Sequence, residues 1–286
     1  MELEHAPEPQ DEPPPANKKR STGRNLPIAI GVGLGLGGLV LVSLYTIKVI
    51  FLVVMAVFMA VGLRELAQAM TAREIKVPII PLTAGLVGAV SFAYWQGPAG
   101  LAGAFTLTVL TLMIWRMPEG AEGYVRDATA SVFIAAYLPL MGGVVALMLA
   151  PKDGAARIVI FISVTVASDI GGYFAGAFLG RHKMAPTISP KKTWEGFTGS
   201  ALTCMAVGAW LVPWLLGGEI WQGALLGAAV VCTATVGDLI ESMIKRDLGI
   251  KDMGTVLPGH GGVMDRLDSL LATAPIVWLA LESFVP

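Results

Sequence analysis

Two sets of polar residues stand at helical spacing near the C-terminus. Asp238, Glu241 and Ser242 occupy i, i+3 and i+4 in "GDLIESMIKRD", and Asp265 and Asp268 repeat the i, i+3 relation in "MDRLDSL". On a helix each set shares one face. The chain between the sets is short enough for the two helix ends to meet. Converging carboxylates repel unless a positive charge lies between them. A hard divalent cation answers that need, and Mg2+ typically takes one or two carboxylates plus substrate phosphates. Simple pairing of Asp238 and Asp265 with Lys245 and Arg266 is the competing reading.

Basic and glycine-rich elements surround these carboxylates. In "ISPKKTWEGF", Ser189 and Pro190 predict a helix start, because proline suits the first helical position. Lys191 and Lys192 follow, and a helix N-terminus beside two lysines attracts phosphate. In "PGHGG", Gly261 and Gly262 follow His260 and let backbone N–H groups approach an anion. With Lys245, Arg246 and Lys251, these residues describe a site for a polyphosphate and its metal. For His260 a structural hydrogen bond and a proton-transfer role stand open together.

Asp169, in "VASDIGGYFAG", is expected roughly 18 Å deep in an apolar segment, from a rise of 1.5 Å per residue. An ionisable group at that depth is a functional candidate. If the helix bends at Gly171–Gly172, a water-filled pocket brings Asp169 toward the metal and nucleotide. If it is straight, Asp169 is a structural group gluing helices. The adjacent glycines favour the pocket, since they mark bends or close packing.

The elements that must position these residues are apolar. Of 286 residues, 55% are hydrophobic and only 14% charged, and the mean hydropathy is +0.69. A soluble domain carries about a quarter charged residues. The expected fold class is all-α: a polytopic transmembrane helical bundle of about nine spans. They fall at roughly 25–47, 48–64, 77–95, 99–116, 128–150, 156–180, 197–216, 219–243 and 267–284. Residues 1–24, proline-rich, acidic and then basic, read as a disordered cytoplasmic tail and not as a cleaved signal peptide. Residues 25–286 form the transmembrane catalytic domain, with its site drawn from 165–200 and 237–268. "GVGLGLGG" (31–38) reads as helix packing, because no strand precedes it. Cys204 and Cys232 read as packing residues.

Nine spans place the N-terminus inside and the C-terminus outside. Of the 20 Lys and Arg, only Lys48, Lys152 and Arg157 then fall outside, as the positive-inside rule requires. Both charged loops face the cytoplasm, so the expected location is the cell (inner) membrane. A cation-coupled transporter would concentrate polar residues near the midplane and often show paired repeats; here the polar density lies at one face. An alcohol phosphotransferase would need a D-G-x-x-A-R helix motif, which is absent.

The segment Ser242 to Asp268, "SMIKRDLGIKDMGTVLPGHGGVMDRLD", resembles the signature of integral-membrane phosphatidate cytidylyltransferases (CDP-diacylglycerol synthases). The shared pattern is S-x-hydrophobic-K-R, four residues, K-D, a small residue, then P-x-H-G-G and D-R-x-D. Upstream, "SDIGGYFAGAFLGRHKMAPTISPKKTWEGF" is similar to the family's second block. The first five spans resemble it only in hydropathy, and the proline-rich tail departs from the compact bacterial pattern. The resemblance implies that CTP and phosphatidic acid give CDP-diacylglycerol and pyrophosphate at a bilayer, in phospholipid biosynthesis. It implies dependence on Mg2+, alone or with a second cation, a homodimer, and no nucleic-acid partner. It makes Asp238 and Asp265 metal ligands and sets Ser189, Lys191 and Lys192 near substrate phosphate. The expected catalytic set is Asp265, Asp238, Lys192 and Asp169. The metal set is Asp238, Asp265, Asp268 and Glu241. The substrate set is Ser189, Lys191, Lys245, Arg246, Lys251, His260, Gly261, Gly262 and Arg266. A related enzyme acting on another lipid phosphate stays open, because no residue specifies an acyl or a prenyl tail.

Overall fold

In lipid the backbone must satisfy its own N–H and C=O groups, which selects helices. The computed structural model describes residues 26–254, 256 and 261–285; the N-terminal tail and His260 lie outside the described residues. Among the described residues there are nine α-helices: α1 (Leu26–Thr46), α2 (Lys48–Thr71), α3 (Ile79–Arg116), α4 (Tyr124–Ala135), α5 (Met141–Leu149), α6 (Gly154–Leu179), α7 (Trp194–Leu216), α8 (Ile220–Asp247) and α9 (Met264–Phe284). One small antiparallel hairpin, β1 (Lys183–Ala185) and β2 (Ser189–Thr193), joins α6 to α7. Seven helical stretches among the described residues are long and apolar enough to cross a membrane.

The longest of these is folded. Gly97 takes φ 71 and ψ −156, and Pro98 follows it. A left-handed φ needs glycine, and proline without its N–H starts the second arm. Gly85 and Thr108 then touch, although a straight helix would hold them about 34 Å apart at its standard rise. α3 is therefore a helical hairpin, and its arms fall where spans 77–95 and 99–116 are expected.

α4 and α5 are joined by a π-helical turn, Ala136–Leu140, with Pro139 inside it. Their combined apolar stretch is 72% buried, against 28–44% for the other crossing stretches. This composite helix is the central post of the bundle. α6 and α7 pack face to face through small residues and hydroxyls. Ser200 Oγ donates to the Ser168 carbonyl (2.6 Å), Thr203 Oγ1 to Ala167 (2.8 Å) and Cys204 Sγ to Val164 (3.3 Å).

Four expectations are corrected. α6 runs unbroken through Gly171 and Gly172; both glycines lie against α7, where an added Cβ would strike Thr203 and Ser200. Ser189 and Pro190 belong to β2, and the helix begins at Trp194, capped by Thr193 accepting from the Gly196 N–H at 3.1 Å. In "GVGLGLGG" a Cβ added at Gly31, Gly35, Gly37 or Gly38 would meet nothing within 4 Å, so among the described residues these glycines have no packing neighbour. Cys204 is buried as expected, but Cys232 is exposed.

The two ends of the bundle carry different chemistry. At one end Lys48 Nζ donates to the Leu149 (3.1 Å) and Pro151 carbonyls. There Arg157 meets Asp153 (2.9 Å), Glu282 (3.3 Å) and the Val285 carbonyl (2.5 Å). At the other end Arg73 donates to the Leu248 carbonyl (2.8 Å), Arg126 to Glu74 (2.6 Å), and Arg116 pairs with buried Asp127 (3.0 Å). The polar segments of α6–β2 and α8–α9 open at this second end.

Candidate active site

A cavity of about 330 Å3 lies between α6, the β-hairpin, α7 and α8. Asp169 enters it from α6, Ser189, Lys191 and Lys192 from β2, and Asp238 from α8. The β-hairpin is fixed from two sides. Glu195 accepts from the Arg181 N–H (3.1 Å) and contacts His182 Nδ1 (2.6 Å), while Arg246 Nε donates to the Ile188 carbonyl (2.5 Å). Arg246 thus positions the hairpin that carries the lysines. Lys192 pairs with one oxygen of Asp238, and Ser269 Oγ of α9 donates to the other at 2.5 Å. Asp169 lies within electrostatic reach of Asp238, Asp268, Lys192 and Arg266. The pocket therefore forms on a straight α6, by the approach of α8 and β2 and not by a bend.

Beside the pocket is a buried clasp. Lys245 sits between Glu241 (2.7 Å) and Asp265 (2.5 Å). Asp265 also accepts from the Gly262 N–H (2.8 Å) and the Met253 N–H (3.2 Å). Charge-assisted bonds of this kind are about twice as strong as neutral ones. Here the glycine loop directs the Gly262 N–H to a protein carboxylate, not to an incoming anion. Asp265 pairs with Lys245, as the competing reading has it, while Asp238 takes its partner from a distant strand. Asp268 lies beside Glu241 and within reach of Asp238. Lys191 is exposed and lines the pocket; Lys251 is exposed and does not line it.

Three residues that spacing does not single out complete the site. Glu65 of α2 is only 4% exposed, and its Oε2 accepts from the Met264 N–H at 2.9 Å, at the first residue of α9. Cβ atoms placed on Gly254 or Gly262 would strike its carboxylate, so Glu65 is wedged between the two flanks of the signature loop. The available signal is a lone acidic residue near the end of an apolar span. Ser269 holds Asp238. Tyr137, in the π-helical turn, lies within electrostatic reach of Asp268, Glu241 and Asp238; such turns often mark functional sites.

Among the described residues no three His, Cys, Asp or Glu side chains form a group that could hold a metal ion by themselves. The carboxylates nonetheless supply only hard oxygen donors. Among the described residues Glu241 Oε1 and Tyr137 Oη are buried and find no hydrogen-bond partner, and both adjoin the carboxylate cluster. Orphaned buried polar atoms require an explanation. A partial oxygen set with unmet capacity fits Mg2+, which completes its shell with phosphates and water.

A helical membrane bundle with a phosphate-suited polar pocket at one end is the class of protein that fold and site define. The chain belongs to the Cytidylyltransferase family, whose model matches residues 28–284. It is 42% identical to a phosphatidate cytidylyltransferase of Mycobacterium leprae (strain TN), over 91% of this chain and 88% of that protein. It is 38% identical to a phosphatidate cytidylyltransferase of Mycobacterium tuberculosis (strain ATCC 25618 / H37Rv), over 93% of this chain and 85% of that protein. A phosphatidate cytidylyltransferase of Synechocystis sp. is 45% identical over 125 residues, 42% of this chain and 41% of that protein.

Proposed function

We propose that the chain transfers the CMP moiety of CTP to phosphatidic acid, giving CDP-diacylglycerol and pyrophosphate in phospholipid biosynthesis. The observation that carries this reading is the cavity in which Asp169, Ser189, Lys191, Lys192 and Asp238 meet, in a chain of the Cytidylyltransferase family. An oxygen of the lipid phosphate attacks the α-phosphorus of CTP. The bond from that phosphorus to its bridging oxygen breaks, and pyrophosphate leaves with the electron pair. Such transfers need positioning and charge neutralisation more than covalent chemistry. Lys191 and Lys192 supply point charges at the wall. A phosphate oxygen entering the pocket competes with Asp238 for Lys192, so binding exchanges one ion pair for another.

Asp238 and Asp265, with Glu241 and Asp268 beside them, would hold Mg2+, which supplies charge neutralisation to the triphosphate. Asp265 has a second duty, since it also holds the Gly262 loop against α9. Glu65 and Arg246 position the loop and the hairpin and touch no substrate. The topology we infer has nine crossings, counting α1 and both arms of α3, with the N-terminus inside. The segregation of arginines and lysines between the bundle ends supports it. The site then faces the cytoplasm of the inner membrane, where a lipid headgroup meets a soluble nucleotide. A homodimer is part of the same reading.

The test is turnover by purified protein in detergent with CTP, Mg2+ and phosphatidate. CDP-lipid and pyrophosphate should form in equal amounts, and removing Mg2+ with a chelator should stop both. Pyrophosphate released without CDP-lipid would refute the transfer.

A further inference from the structure

Two apolar cavities open between the helices, and one feature separates them. The first, about 270 Å3, lies between α1, α2, α5, α6 and α9, with Val40, Val54, Met55, Ile162 and Leu270 in its wall. The second, about 320 Å3, lies between α2 and α3 and includes Val53, Val57, Val87 and Trp95. Among the described residues no charged side chain lines the second. The first has one, Arg266 in the opening turn of α9.

Arg266 does not line the polar cavity, but it stands on α9 three positions before Ser269, which holds Asp238 of that cavity. It lies within electrostatic reach of Asp169, and Asp268 follows it by two positions on α9. Arg266 thus stands at the apolar slot on the same helix that supports the charged pocket. Gly37 lines the slot on its α1 side, and a Cβ there would meet no atom within 4 Å. This gives part of "GVGLGLGG" a use that neither nucleotide binding nor packing within the chain supplies.

We propose that this α1–α2–α6–α9 cavity seats an acyl chain of the phosphatidate substrate, with the lipid phosphate held at Arg266 beside the polar pocket. The inference rests on the activity proposed above and deepens it by placing the lipid. Lipid tails are as apolar as leucine, so moving a chain from bilayer to slot gains little hydrophobic energy. The slot therefore sets position, and the charge sets affinity. A guanidinium suits that task because its planar fork matches phosphate geometry. The α2–α3 cavity has the apolar walls without the cation, so it accepts bulk lipid but does not select a lipid phosphate. A chain anchored between α6 and α9 points its phosphate toward Asp169 and Asp238, from which Lys192 and Lys191 are reached.

The experiment fills each cavity in turn. Val54→Trp and Gly37→Leu narrow the proposed slot, and Val87→Trp narrows the α2–α3 cavity. Activity is measured in phosphatidylcholine vesicles with dioleoyl or dihexanoyl phosphatidate. Val54→Trp and Gly37→Leu should raise KM for the dioleoyl substrate about tenfold, the order of a lost apolar pocket contact. KM for CTP and use of the dihexanoyl substrate should change little, and Val87→Trp should behave as the parent protein. Equal effects on long and short chains, or an effect confined to Val87→Trp, would overturn the proposal.

A second measurement does not depend on variants that fold. A phosphatidate carrying a diazirine in its acyl chain is photolysed with the unmodified protein, and adducts are mapped by mass spectrometry. Adducts on α1, α2 and α9 around Val54 and Leu270, competed by excess phosphatidate but not by phosphatidylcholine, support the slot. Adducts confined to α2–α3, or not competed, overturn it. This arm stays decisive if the parent protein makes no CDP-lipid, an outcome that would refute the proposed activity instead.

Discussion

The pocket and the clasp are built from the same residue types and behave differently. In the pocket Asp238 meets Lys192 from a strand 46 positions away in sequence, and both line an open cavity. In the clasp Asp265 meets Lys245, and their side chains are only 7% and 18% exposed. The clasp carboxylate is further held by backbone N–H groups of Met253 and Gly262. An aspartate–lysine pair that a substrate can enter is machinery for exchange. One sealed by loop backbone is a fastening. The signature segment Ser242–Asp268 contains the fastening pair, while the exchangeable pair Asp238–Lys192 lies upstream of it.

The comparison breaks first at the two aspartates. Asp238→Asn should lower kcat on the order of a hundredfold to a thousandfold, as for loss of one preorganised electrostatic group, with little change in thermal midpoint. Asp265→Asn should lose activity and also stability, by about 3 kcal/mol if Lys245 is left buried without that charge. Thermal unfolding of the detergent-solubilised variants beside steady-state rates distinguishes them. Equal midpoints for the two variants would erase the distinction between pocket and clasp.

Asp169→Asn comes next. It keeps shape and removes charge, so a pocket role predicts a large fall in turnover with a near-parental midpoint. A parental rate would make Asp169 a structural residue of α6. Glu65→Gln should have a smaller effect than either aspartate, because an amide oxygen can still accept from the Met264 N–H. Glu65→Ala removes that acceptor and should raise KM for CTP and speed proteolysis between Gly249 and Gly262. Rescue by Gln and not by Ala is the signature of positioning. Lys251→Ala should have the least effect on kcat, since Lys251 is exposed and lines no part of the pocket; Lys191→Ala should clearly exceed it in KM for CTP.

Some of the site was legible because periodicity carries it. Asp238 and Glu241 share an α8 face, and Lys245 adds one more turn, so the Glu241–Lys245 pair follows from i, i+4 spacing alone. The fold-back of α3 was legible in the Gly97–Pro98 pair, whose backbone preferences interrupt a helix. Other features were not legible. Ser189 and Pro190 have the composition of a helix start but lie in a strand, because pairing of Lys183 with Thr193 moves the start to Trp194. The glycine pair in α6 has the composition of a bend, but contact with α7 uses it for packing.

What the sequence determined by itself is whatever local chemistry decides. Apolar runs in lipid become helices because the backbone has no other partners, most lysines and arginines fall toward one end of the bundle, and a detailed motif marks the family. What only tertiary structure decided is which of the charges meet. Glu65 reaches Met264 across 199 positions and Lys192 reaches Asp238 across 46. Helix packing sets such distances, and no period along the chain encodes them. The division between an open aspartate and a fastened one is likewise a matter of burial, which arises only when α2, α8, α9 and the β-hairpin come together.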